Sequence, residues 1–184
     1  PVLDDGYVDD AIEKLGDHTP TGELRGGKYS LFEAGTRVPF ITYWKGTIEP
    51  GVSEALISQV DWLSSLSSLF GTPITDVDSE NHFDVLMGRA TEGRSDVILE
   101  ATSRTAYRQG DWVLIPPYPG PKLFLTKGIE TGNGDVFQLY NLADDASQQN
   151  NLADKMPEKR DKMMAAFEAI VGDTYKNTSK LRFD

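Results

Sequence analysis

Leu24-Arg25-Gly26-Gly27-Lys28-Tyr29-Ser30-Leu31-Phe32-Glu33-Ala34-Gly35-Thr36-Arg37-Val38-Pro39-Phe40-Ile41-Thr42-Tyr43-Trp44 is the stretch on which the reading of this chain turns. It joins two unlike halves. The first is polar and glycine-rich, with Lys28 directly after Gly26-Gly27, a composition that suits a backbone lying close to a ligand. The second, Val38 to Trp44, is β-branched or aromatic at nearly every position. Pro39 stands at its start, where a missing N–H is tolerated, and Lys45-Gly46 ends it. Such a run predicts a strand buried on both faces, as in the parallel sheet of an α/β domain.

Upstream, residues 1–30 predict a loop-rich segment with acidic pairs at Asp4-Asp5 and Asp9-Asp10 and a short helix over Val8 to Leu15. Long irregular segments in compact proteins are often functional. Downstream, Asp61 is the expected N-cap of a helix carrying Trp62, Leu63, Leu66, Leu69 and Phe70 at three-to-four spacing. Gly71 closes it, and Ser64, Ser65, Ser67 and Ser68 take the other face.

The character changes after Pro73. Val97 to Leu99 reads as a short strand. Thr105 to Arg108 and Trp112 to Ile115 flank Gln109-Gly110-Asp111, whose Gly-Asp pair signals a hairpin. Residues 116–136, rich in Pro and Gly, predict a long loop, and Phe137 to Leu142 alternates as a half-buried strand does. Asp154 to Val171 predicts a closing helix, with Pro157 in its first turn and Gly172 at its end. Met156, Met163, Met164, Phe167, Ile170 and Val171 form its apolar stripe. A strand and helix of α/β type, then antiparallel strands and a packing helix, give the fold class α/β plus α+β. Residues 1–75 read as the end of an α/β domain and residues 76–184 as a small α+β subdomain.

The formal net charge is −11, with a pI near 4.6. That balance argues against nucleic acid, which needs clustered Lys and Arg, and against an anionic membrane surface. No apolar run approaches a membrane span. The absence of Cys excludes disulfides and thiolate metal sites. An anionic substrate then needs a local cation that outweighs the overall field at short range.

Three segments resemble one family. Leu24 to Ile41 resembles the stretch of type I sulfatases in which G-x-K leads to E-G-G-x-R-V-P and an apolar strand. Val60-Asp61-Trp62-Leu63 through Leu69-Phe70-Gly71 is similar to the family's V-D helix ending in Gly. Leu139 to Asp145, with Asn150-Asn151-Leu152-Ala153, is similar to its L-Y-D-L-x-x-D-P-x-E-x-x-N-L-A motif. Ala34 stands for the first Gly of the usual pair, Ser64-Ser65 for Pro-Thr, and Ala146 for Pro.

The resemblance implies an alkaline-phosphatase-like fold and hydrolysis of sulfate esters, on a carbohydrate rather than a simple aryl sulfate. It also implies a formylglycine nucleophile made from the Cys or Ser of C/S-x-P-x-R, and Ca²⁺ held by an early Asp-Asp pair and a later D-N-G. Neither motif is in this chain. The resemblance puts D-N-G immediately before Pro1, so the chain is expected to be the C-terminal part of a periplasmic or secreted sulfatase. It would carry no metal ligand, partner the N-terminal half of the same protein, and be inactive alone.

Within that frame Lys28 matches the family lysine that contacts the sulfate and the leaving oxygen, and is the expected catalytic and substrate-binding residue. His18, ten residues earlier, suits a sugar hydroxyl or sulfate, or a loop-packing hydrogen bond. Asp4 and Asp5 suit sugar hydroxyls or outer partners of the metal, or solvated loop charges. As calcium ligands in their own right they lack the D-x-D-x-D-G spacing. His82 reads as surface. Arg25 and Arg37 bracket the Lys28 loop, with Glu33 one option for pairing Arg37. Tyr7, Tyr29 and Phe32 read as a sugar-facing wall or as core. Two other readings stand beside the enzyme: a non-catalytic interaction module derived from a sulfatase, and a phosphatase or phosphonate hydrolase of the same superfold, against which Glu33 to Ile41 weighs.

Overall fold

A computed structural model describes residues 14, 16, 18–75, 78–125 and 128–176. The helix expected over Val8 to Leu15 lies outside the described residues, Lys14 apart, which is helical. The chain divides into two compact units. One combines the described residues of Pro1–Val38 with Ile98–Asp184, and the other is Pro39–Val97.

The first unit is built on a four-stranded sheet of order β1-β2-β3-β6. Its strands are β1 (Asp96–Ala101), β2 (Arg104–Gln109), β3 (Trp112–Ile115) and β6 (Gln138–Asn141). The expected hairpin forms, with Gln109 opposite Trp112 and Tyr107 opposite Leu114. Gly110, at φ +56°, supplies the left-handed conformation its tight turn demands. β6 then pairs antiparallel with β3, Leu139 opposite Leu114. The stretch expected to be a long loop contains a small ladder of its own, β4 (Leu123–Phe124) against β5 (Ile129–Glu130).

Alternation along these strands feeds two cores. Ala106, Val113, Ile115 and Tyr140 face one way, onto Leu31 and Phe32. Tyr107, Leu114 and Leu139 face the other way, onto Met163 and Phe167 of the closing helix. That helix runs Pro157–Val171 with proline in its first turn, and Gly172 at φ +61° ends it. The C-terminal motif proves to be a bracket. Asn151 Oδ1 accepts from the Leu139 and Ala153 amides, and Nδ2 donates to the Phe137 carbonyl. Asp145 accepts from the Gln149 and Asn150 amides, and these bonds hold its carboxyl below the usual range against the opposing effect of burial.

The second unit corrects two expectations. Val38 to Trp44 forms no strand, and no described strand pairs with it. Ile41 and Tyr43 are more than four-fifths exposed, and Phe40 and Trp44 are also exposed. The composition is right for a buried strand, but a strand exists only where neighbours complete its ladder, and the described residues supply none. The helix after Asp61 forms over Trp62–Leu69, following a 3₁₀ turn at Gln59–Asp61, yet its faces are reversed. Ser64, Ser65 and Ser67 are buried while Trp62, Leu63, Leu66 and Leu69 are exposed.

The serines are covered because each hydroxyl finds a backbone partner in or near residues 74–82. Ser64 Oγ donates to the Ser79 carbonyl at 2.8 Å, and Ser65 Oγ accepts from the His82 amide at 2.9 Å. Asp61, 2% exposed, accepts from the Ser58 and Glu80 amides and from Arg94 at 2.8 Å. It thus ties together three segments rather than capping one helix end.

Candidate active site

Lys28 stands on a turn that closes when the Ser30 amide donates to the Gly27 carbonyl at 2.9 Å. Lys28 and Tyr29 occupy the two central positions, and Tyr29 has φ +79°. That is the geometry of a type II turn, which normally places glycine there. A bulky residue in this region is strained by about 1–3 kcal/mol and persists only where its surroundings hold it.

Its surroundings do hold it. Gly27 is buried against Ile129, Ser30 is fully buried, and its Oγ accepts from the Phe32 amide at 3.1 Å. The Leu31 amide donates to the Thr131 carbonyl and the Ala34 amide to the Arg25 carbonyl. Glu33–Thr36 makes one helical turn, α1, beneath this loop. Ala34 has no positive φ, in keeping with the loss of the first glycine there. Gly35 is different, because a Cβ on it would run into the Ser30 and Gly27 carbonyl oxygens. One glycine of the pair is dispensable and the other is required by close approach.

Long-range charged pairs lock the flanks. Arg25 makes a two-pronged bond to Glu130, 2.8 and 2.6 Å, and donates to the Gln148 carbonyl at 2.7 Å. Its guanidinium also lies 4.0 Å from the Phe32 ring centroid. The bond to Glu130 holds Arg25 above its ordinary pKa, with burial opposing, and the same bond holds the Glu130 carboxyl below its ordinary value. Glu33, 2% exposed, accepts from Arg108 at 2.9 Å, and its amide donates to Gln148 Oε1 at 2.7 Å. The ion pair with Arg37 is longer, 3.9 Å, and Arg37 is half exposed, so Arg108 is the main partner of Glu33. These pairs span 75 and 105 residues of sequence, and no local pattern announces them.

Lys28 itself is exposed and has no ion pair among the described residues. Its ammonium lies 5.1 Å from the Tyr29 ring centroid. His18 is exposed, with no hydrogen bond or ion pair among the described residues. Asp4 and Asp5 lie outside the described residues. Phe32 is core and Tyr29 is 40% exposed, which separates two aromatics that the sequence could not rank.

His82, expected at the surface, is largely covered: its side chain is 12% exposed and its ring nitrogen lies 3.1 Å from Glu80. It belongs to the Pro39–Val97 unit, where it lines a shallow cavity of about 320 Å³ with Ser68, Asn81 and Glu92. Among the described residues no three His, Asp or Glu groups come together to hold a metal ion. No helix among them is long and apolar enough to cross a membrane.

Residues 7–72 match the sulfatase family model. An N-acetylgalactosamine-6-O-sulfatase of Bacteroides thetaiotaomicron is 41% identical over 162 residues, which make up 86% of this chain and 32% of that protein. A solved structure from work on the metabolism of multiple glycosaminoglycans by Bacteroides thetaiotaomicron superposes with a TM-score of 0.86 at 38% identity. It covers 92% of this chain and 36% of its own. A sulfatase from Pseudoalteromonas sp. shares the fold at 22% identity, with a TM-score of 0.64 over 85% of this chain and 34% of its own. The chain therefore spans about one third of the length of these relatives. The small antiparallel sheet packed by a closing helix is the expected end of the alkaline-phosphatase-like architecture of sulfatases. The family model over residues 7–72, a 41%-identical relative across 86% of this chain and the shared fold all make this chain similar to one part of a sulfatase.

Proposed function

We propose that this chain is the C-terminal part of a periplasmic or secreted sulfatase that hydrolyses sulfate esters of carbohydrates, with Lys28 binding the sulfate. In this reading residues 1–75 derive from the large α/β domain and residues 76–184 form its small subdomain, although the compact units of the chain are drawn elsewhere. The observation that carries the reading is the Lys28 turn: an ammonium with no carboxylate partner among the described residues, on a loop anchored at every flank. Three N–H donors on a point charge suit sulfate oxygens, and charge-assisted bonds to them are strong. Such a group also stabilises charge that develops on the leaving oxygen. The net charge of −11 does not defeat this, because exposed charges beyond a Debye length of about 8 Å are largely screened.

The relatives support the substrate class, since one is named for a sulfated N-acetylgalactosamine. His18, Asp4 and Asp5 are assigned to the sugar side of the site. Among the described residues no group of carboxylates and histidines fits a calcium site, and the sequence has neither a Cys nor an S-x-P-x-R run to become formylglycine. The nucleophile and the metal are therefore assigned to the remainder of the protein, the partner of this chain. Two measurements test the reading. The isolated chain should release no sulfate from N-acetylgalactosamine 6-sulfate, and turnover by it would overturn the division of labour. Inorganic sulfate should bind the chain saturably, and Lys28→Ala should weaken binding at least about tenfold, one charge-assisted bond.

A further inference from the structure

Tyr29 holds a backbone conformation that glycine or asparagine adopts far more readily, at φ +79°. The side chain is not there to fill the core. It is 40% exposed, whereas Leu31 and Phe32 on the same loop are at most 2% exposed. Its ring is braced from one side by Phe124 of β4, centroids 5.6 Å apart at 67°. The Lys28 ammonium stands 5.1 Å from its centroid. The turn thus presents a partly exposed aromatic ring with a cation over it, at a position where local energetics favour a residue with no ring.

An inorganic anion uses only the cation. A sulfated sugar offers a second complement, because its axial C–H groups carry partial positive charge and match the negative face of an aromatic ring. Strained residues of this kind cluster at active sites and ligand clamps. We propose that Tyr29 is a specificity-determining residue that stacks on the pyranose ring whose sulfate Lys28 holds. The inference rests on the Lys28 reading above.

The test compares two probes, inorganic sulfate and N-acetylgalactosamine 6-sulfate, titrated into the full chain and followed by NMR. Tyr29→Gly keeps the turn geometry and removes the ring. Tyr29→Asn, which also tolerates positive φ, repeats the test should the first variant fold poorly, and Tyr29→Phe keeps the ring. The expected result is a Kd for the sugar sulfate about five- to tenfold higher in the Gly and Asn variants, the range of one aromatic contact. Inorganic sulfate should bind both variants within about twofold of wild type, and Tyr29→Phe should bind both probes normally. Equal weakening for both probes would make Tyr29 a prop for Lys28 and overturn the proposal, as would no change for either. If Lys28→Ala leaves both affinities intact, the Lys28 reading falls first and the stacking proposal with it.

Discussion

On the sheet-based unit, Val113, Leu114 and Ile115 are successive residues of one strand and none is more than 1% exposed, because the Leu31–Phe32 loop covers one face and the closing helix the other. In Pro39–Val97 the distribution runs the other way. Ile41, Tyr43 and Phe70 stand mostly in solvent, while Asp61, Ser64 and Ser65 are buried and hydrogen-bonded. The two units do not differ in how apolar their sequences are. They differ in whether the complement of each apolar face lies within this chain.

The sharpest way to break this contrast is a pair of truncations of the same residue type. Phe167→Ala removes a fully buried ring that meets Tyr107 and Tyr175 and should destabilise the chain by about 3–5 kcal/mol in urea unfolding. Phe70→Ala, at a position 76% exposed, should change stability by no more than about 0.5 kcal/mol. Equal costs would mean that Phe70 is covered in the isolated chain. Within the second unit stability should rest on polar groups instead. Asp61→Ala strips Arg94 and two amides of their acceptor and should cost about 2–3 kcal/mol, with Glu80 still within 3.3 Å of the arginine. A loss nearer zero would break the view of Asp61 as the knot of that unit.

A smaller effect than that of Asp61, and one that depends on pH, should come from Glu130. Its folded pKa is depressed, chiefly by the hydrogen bond from Arg25, so its contribution is present above the unfolded carboxylate value. It is lost as the pH falls through the folded value. The side chain is nearly half exposed, so Glu130→Gln should cost less than about 1 kcal/mol at pH 7. The gap in Tm between wild type and variant should close as the pH is lowered below about 4. A gap independent of pH would assign the effect to packing rather than charge.

Much of the sheet-based unit was legible in the sequence, and for identifiable reasons. Gly110-Asp111 sits between two strand-like runs, and Pro157 and Gly172 bound an apolar stripe, so local chemistry marked each element where it formed. The Lys28 loop was legible through Gly26-Gly27 and the residues that follow. Its supports were not, because Arg25–Glu130 and Glu33–Arg108 join residues far apart and leave no period in the sequence. Nor was the strain at Tyr29, since nothing in a tyrosine announces a positive φ. The run Val38 to Trp44 has the composition of a buried strand and yet is exposed, because composition shows what a segment resembles and not whether its neighbours are in place. The serine face failed for another reason: a hydroxyl satisfied by a carbonyl is as acceptable inside as outside.

The alternation along β3 has a practical consequence. Val113 and Ile115 belong to the layer that carries Leu31 and Phe32, while Leu114 belongs to the layer under the helix Pro157–Val171. One thickness of sheet therefore separates the lysine turn from the helix, with Tyr175 packing against both layers. Sequence can drift, and an engineer can graft tags or surface charges, on the outer side of that helix without disturbing the turn. A single-methylene change at Val113 or Ile115 would instead be transmitted to its footing.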